Sequence, residues 1–342
     1  MTVHQAKPPM PSGDLPSFMG SFIAESSAMR DVLRRLDWYA EAQTPVILVG
    51  ETGTGKTTLA ELIHRLSRRP GTFVPSSVTE LDPNLQRSQI FGHEKGAFTG
   101  ATERHIGLLE EAGEGTVLLD EGQRLRRATQ EMLLRALDRA VFRRVGGSRD
   151  LPFRARLIIA FAESPDELVR RGRLLPEFRS RLGFSIIPLP RLEERREDVP
   201  ALAEGFLRQV PGVTGVPVPT QLAPELLRLF QVASWPWNVR QLGKVIEEGC
   251  LRARGNEVLT PEHVADLVSL PVRFERRGNF AVNARAVRLA LEVTGGRVTR
   301  ASKLLNTSRT TIHSYLRRCG GGVRVSRFAR TKSPTEQFPS PS

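Results

Sequence analysis

A run of apolar residues, Val46-Ile47-Leu48-Val49, passes directly into Gly50-Glu51-Thr52-Gly53-Thr54-Gly55-Lys56-Thr57 and then into the helical pattern Leu59-Ala60-Glu61-Leu62-Ile63. Strand, glycine-rich loop ending in Lys-Thr, then helix is an order that few folds accommodate. A short continuous apolar strand is one covered on both faces, as in the centre of a parallel sheet. A glycine-rich turn at a helix N-terminus lets backbone N–H groups wrap a phosphate where the helix dipole also favours an anion. The spacing fits G-x-x-x-x-G-K-[ST] in its proper context. Gly50, Glu51, Thr52, Gly53, Thr54 and Gly55 then form the cradle. Lys56 is expected to neutralise the β- and γ-phosphates of ATP, and the Thr57 hydroxyl to bind Mg²⁺.

Three further apolar runs fit the same sheet: Thr116-Val117-Leu118-Leu119, Leu157-Ile158-Ile159-Ala160 and Phe184-Ser185-Ile186-Ile187. Helical patterns separate them, and Met29, Val32, Leu33 and Leu36 mark a helix ahead of the first strand. The expected class is therefore α/β. Asp120 and Glu121 end the second apolar run, and two adjacent carboxylates there are costly unless they serve a cation or a reaction. Asp120 is expected to join the Mg²⁺ shell, and Glu121 to orient or deprotonate an attacking water.

Between these two motifs lies Gly96-Ala97-Phe98-Thr99-Gly100-Ala101, one aromatic and one hydroxyl among four small residues. Such a stretch suits a bendable, exposed loop offering a Phe-Thr tip. Inside a nucleotide-binding domain it reads as a loop moved by ATP.

From Pro188 the pattern turns to charged and helical segments, expected to form an all-helical subdomain. The boundaries read as a leader over 1–17, an α/β subdomain over 18–190, a helical subdomain over 191–270, a linker over 271–280, a helix-turn-helix over 281–320 and a basic tail over 321–342. Charge supports a distinct C-terminal role. Residues 273–342 carry 15 Lys/Arg against 3 Glu, whereas the rest holds 35 against 34. A near-neutral body with a basic end is the footprint of an appendage that binds double-stranded DNA through its phosphates. Cys250 and Cys319 are too few for a disulfide framework, and the Pro-rich start lacks a signal-peptide pattern. A cytoplasmic protein is expected.

Taken together, the phosphate loop, Phe91-Gly92-His93-Glu94-Lys95 running into GAFTGA, Leu119-Asp120-Glu121, Arg144-Val145-Gly146-Gly147-Ser148, Arg195-Arg196-Glu197-Asp198-Val199-Pro200 and Trp235-Pro236-Trp237-Asn238-Val239-Arg240 resemble the bacterial enhancer-binding proteins, sigma-54-dependent activators of the AAA+ ATPase superfamily. The resemblance spans about Phe18 to Gly320. It implies a P-loop NTPase with a helical lid that forms a ring and hydrolyses ATP between subunits. Gly96, Ala97, Phe98, Thr99, Gly100 and Ala101 would engage sigma-54 RNA polymerase and remodel the closed promoter complex. The C-terminal unit resembles the helix-turn-helix of the nucleoid protein Fis, with a turn at Asn306 and a second helix capped by Ser308. Ser308, Arg309, Thr310, Thr311, His313 and Arg317 would then contact an upstream DNA site, with Arg318 close by.

Against the family pattern, several positions differ around the chemistry of ATP. Thr57 stands where the family has Glu. Ser77 stands at the Asn that couples to the catalytic Glu, with a shorter reach to Glu121. Ala160-Phe161-Ala162 replaces a strand end that carries a polar γ-phosphate sensor. Of two arginines that enter the neighbouring subunit's site, the first is Leu175 and the second is kept as Arg181; Arg179 lies two residues away, about 200° round a helix. Trp237 replaces Gly, while the sensor arginine is kept as Arg240. These changes imply a subunit that binds ATP and hydrolyses it slowly alone, or that works in a mixed ring with a paralogous activator. The chain is expected to lack the receiver or sensory domain common in the family, so control is expected to come from a separate regulatory protein, from expression level or from ring assembly. A hydrolysis-deficient DNA-binding regulator independent of sigma-54 is the alternative reading, and a DNA motor is a third that leaves GAFTGA unexplained.

Overall fold

The computed structural model describes residues 22–214, 218–270, 280–305 and 307–318, with side chains over 22–210, 218–270, 286–305 and 307–317. Contacts divide the chain into two units, residues 1–216 with 235–247, and residues 217–234 with 248–342. In the first, Ser26 accepts the Met29 N–H at 3.3 Å and opens α1 (Ser27–Arg34), which is followed by α2 (Leu36–Glu41). The chain continues through β1 (Val46–Val49), α3 (Lys56–Ser67), β2 (Phe73–Ser77), α4 (Gln86–Phe91), α5 (Leu108–Glu111) and β3 (Thr116–Asp120). Next come α6 (Arg127–Arg139), the short strands β4 (Val141–Phe142) and β5 (Leu151–Pro152), and β6 (Arg156–Phe161). α7 (Pro165–Arg170), α8 (Pro176–Arg181), β7 (Ile186–Pro188) and α9 (Val199–Thr214) complete this stretch.

The main sheet is parallel, in the order β2-β3-β6-β1-β7. Val46, Ile47 and Leu48 of β1 and every residue of β6 are buried, because hydrophobic cores cover both faces of the sheet. β1, β3 and β6 lie together and end on the same side. The segments that leave them therefore meet in one crevice, the usual place for a ligand in an open α/β sheet.

Two differences from the sequence reading concern the sheet edges. A fifth strand, β2, is present; Pro75 within it is exposed, and an edge strand tolerates a residue with no N–H. The last strand begins at Ile186 instead of Phe184, whose side chain is 95% exposed.

The second unit holds β8 (Gln221–Leu222) and α10 (Pro224–Val232). α11 (Asn238–Arg252) follows, its residues up to 247 belonging to the first unit, and then β9 (Val258–Leu259). Three helices close the described chain: α12 (Phe280–Val293), α13 (Val298–Leu304) and α14 (Arg309–Arg318). They pack on one another through Val287, Ala290, Leu291, Ala301, Leu304, Leu305 and Ile312, all buried. The leader over 1–17, most of the linker over 271–280, Asn306 and the tail over 321–342 lie outside the described residues. No described helix is long and apolar enough to cross a membrane.

Candidate nucleotide-binding site

The loop between β1 and α3 takes the shape a phosphate requires. Gly53 and Gly55 adopt left-handed φ of 81° and 103°, which side chains disfavour. A Cβ on Gly53 would overlap the Trp237 carbonyl oxygen and lie 3.0 Å from the Arg240 Cβ. The Arg240 N–H donates back to the Gly53 carbonyl at 3.3 Å. Gly53→Ala is therefore expected to displace the cradle and weaken ATP binding about tenfold or more, close to 1.4 kcal/mol. A fluorescent-nucleotide titration checks this; an unchanged Kd would contradict the geometry.

Lys56 is buried, and its Nζ donates to the carbonyls of Gly50 at 2.8 Å and Glu51 at 3.1 Å. Burial lowers its pKa, opposed by the charges of Asp120 and Glu121 and reinforced by Arg240. A cleft of about 230 Å³ is lined by Thr52, Gly53, Gly55, Lys56, Thr57, Thr58, Asp120, Glu121, Phe206, Val239 and Arg240. It brings together the cation expected for the phosphates, the hydroxyl and carboxylate expected for the metal, and the carboxylate expected for the water. A threonine hydroxyl and an aspartate oxygen suit a hard cation such as Mg²⁺. Asp120 Oδ1 accepts the Glu121 N–H at 2.8 Å.

Two residues outside the expected set hold the loop. Asn238, 1% exposed and at φ 51°, donates from Nδ2 to the Thr52 carbonyl at 3.1 Å, and its Oδ1 accepts the Leu192 N–H at 2.8 Å. Asparagine tolerates left-handed φ better than most residues, which explains its use there. Arg195, 3% exposed, donates to the Thr54 carbonyl at 2.5 Å and faces Asp198 at 3.9 Å. Asp198 in turn accepts from the backbone and hydroxyl of Ser26 at 2.6 and 3.0 Å.

Other expected residues sit differently. Ser77 Oγ lies 2.6 Å from Thr79 Oγ1, and among the described residues no hydrogen bond joins it to Glu121. Arg181 is held by its own subunit, with Nε 2.9 Å from Asp138 and a guanidinium nitrogen donating to the Leu137 carbonyl at 2.6 Å. Arg179 is 12% exposed and donates to Asp166 and to the Gly183 carbonyl, both at 2.9 Å, so its guanidinium is engaged within the chain.

The loop Gly96–Ala101 is a closed turn. The Gly96 N–H donates to the Ala101 carbonyl at 2.8 Å, and Gly96 and Gly100 take φ of 81° and 99°. Thr99 is exposed, but Phe98 is half-buried, its ring edge-on to His93 at 5.0 Å. The free aromatic tip expected from sequence is thus packed down. At the base, buried Arg144 pairs with Glu94 and Glu110 at 2.6 Å each.

In the C-terminal unit, Ser308 Oγ accepts the Thr311 N–H at 3.0 Å and caps α14. Arg309, Thr310, His313 and Arg317 are exposed, whereas the Thr311 hydroxyl turns back to Ser308 at 2.8 Å.

The sigma-54 interaction domain family matches residues 22–187, and the AAA+ ATPase lid domain family matches residues 193–271. The transcriptional regulatory protein ZraR of Salmonella typhimurium is 33% identical over 314 residues, covering 90% of this chain and 70% of the relative. The formate hydrogenlyase transcriptional activator FhlA of Escherichia coli is 33% identical over 89% of this chain, which spans 45% of that protein. NtrX from Brucella abortus, in a crystal structure with ATP, shares 26% identity with a TM-score of 0.66 over 87% of this chain and 69% of that one. The architecture is that of a AAA+ P-loop NTPase with a parallel sheet and a helical lid.

Proposed function

We propose, for a chain that belongs to the family of sigma-54-dependent AAA+ transcriptional activators, that it binds upstream DNA, assembles into a ring and uses ATP hydrolysis to open promoters held by sigma-54 RNA polymerase. The observation that carries this reading is the loop Gly96–Ala101. It closes on itself, presents Thr99 and rests Phe98 on His93, in the same unit as the complete phosphate cradle. Packing on His93 accounts for Phe98, but not for the exposed Thr99 beside Gly100, which suits contact with a partner.

In this account Lys56 neutralises the phosphates, while Thr57 and Asp120 hold the Mg²⁺ that screens them. Glu121 takes the proton of the attacking water. Arg240 lines the cleft within its own subunit. Arg181 acts on the nucleotide of a neighbouring subunit, which requires its release from Asp138. Arg309, Thr310, His313 and Arg317 of α14 face duplex DNA, as charge and exposure favour.

The restraint on Arg181 and Arg179 favours a second reading, a nucleotide-sensing DNA-binding regulator that does not act on sigma-54 polymerase. Thr99→Ala separates the two. In the activator reading it removes open-complex formation at a sigma-54 promoter by at least about tenfold while DNA binding and nucleotide affinity stay as in the wild type. Open complexes formed equally well by Thr99→Ala would favour the second reading.

A further inference from the structure

We propose that Gln123 is a positioning residue for hydrolysis, clamping the Glu121 carboxylate to the carboxyl end of β6. The proposal rests on the reading that this site hydrolyses ATP. Glu121 leaves β3 at φ 59°, a left-handed conformation that strains a residue with a side chain. Its flexible side chain needs an external partner if the carboxylate is to meet a water in one orientation.

The partner comes from the next turn. Gly122 lies directly on β6: a Cβ there would come within 2.5 Å of Ile159 Cγ2 and 2.8 Å of Phe161 Cε1. Only glycine lets the turn Gly122–Arg124 settle this close. As a result the Gln123 amide spans the gap between two strand ends. Its Nε2 donates to Glu121 Oε2, and its Oε1 accepts the N–H of Ala162, the first residue after β6, at 3.3 Å. Both halves of the amide are used, which fixes its orientation: the reverse would set oxygen against carboxylate and N–H against N–H.

Among the described residues no other side chain is hydrogen-bonded to both Glu121 and the end of β6. Phe161 is fully buried and, like Ala162, offers no polar side-chain atom, while Ser77 is engaged with Thr79. Gly122, Gln123 and Phe161 thus form one arrangement. The ring of Phe161 fills the space a side chain at 122 would take, and the amide of Gln123 provides the polar contact that the end of β6 lacks.

The test compares wild type, Gln123→Ala and Gln123→Glu, the last keeping the volume but losing the donor. Three quantities are measured: kcat for ATP, Kd for ADP, and the ratio of affinities for ADP–aluminium fluoride and ADP, which needs no turnover. Both variants are expected to lose about 10- to 100-fold in kcat and to lose most of the preference for the fluoride-trapped state, with Kd for ADP within about twofold. Unchanged kcat and unchanged preference in the variants would overturn the clamp while leaving hydrolysis standing. So would a loss that merely follows weaker ADP binding. Should the wild type turn over no ATP, the hydrolysis reading fails. The clamp then stands only if the wild type prefers the trapped state and the variants do not.

Discussion

Glu121→Gln should leave ATP bound and bring its hydrolysis close to a stop. The substitution keeps shape and polarity, and the hydrogen bonds that hold the cradle, from Lys56, Asn238 and Arg195, go to backbone carbonyls and not to Glu121. An amide cannot accept the water's proton, and general-base catalysis of this kind contributes about 10²–10⁴-fold. The expected result is a fall of at least about 10²-fold in kcat with KM or Kd for ATP within about threefold. Steady-state hydrolysis alongside equilibrium binding checks it. A variant that retains most of its rate would place the base elsewhere.

Arg144→Met should unfasten the loop that carries Phe98 and Thr99. Arg144 is 7% exposed and draws in Glu94 and Glu110, whose hydrogen bonds hold its guanidinium in the charged form, Glu110 most strongly. Removing Arg144 leaves Glu94 without this partner and Glu110 with only the half-exposed Arg104 at 3.4 Å, at a cost of about 3 kcal/mol when partly screened. For a folding unit of roughly 150–250 residues that corresponds to about 6–12 °C in Tm. The damage should also be local: Glu94 and Val145 are hydrogen-bonded at 3.0 Å, and Gly146 packs on Ala97. Hydrogen exchange over residues 94–101 should rise more than over β1 or β6. Uniform exchange with an unchanged Tm would show that Arg144 does not anchor the loop.

The parts of this molecule that are legible in the sequence are those written in consecutive residues. The phosphate loop, the Asp120-Glu121 strand end and Gly96–Ala101 each combine geometry and chemistry within eight residues or fewer, and the structure sets the first two in one cleft. β2 escaped the pattern because an edge strand with an exposed Pro75 lacks the continuous apolar run of the central strands. Phe184 looked like strand because it is apolar, yet the turn through Gly183 at φ 79° leaves it in solvent. Pairings across the fold were not readable: Arg179 with Asp166, Arg181 with Asp138 and Phe98 with His93 depend on where elements pack. Gln123 is the same kind of omission. The one local signal for it was a glycine directly after Asp120-Glu121, which marks a turn pressed against its neighbour.

If the proposed motor depends on its neighbours, ATP hydrolysis by the purified chain depends on how much of it is assembled, which a wide range of protein concentration reveals. With Glu121→Gln as the blank and nucleotide binding followed in parallel, the expected result is specific activity that climbs cooperatively with concentration and vanishes in the blank. Nucleotide bound at every concentration with no hydrolysis above the blank would contradict it.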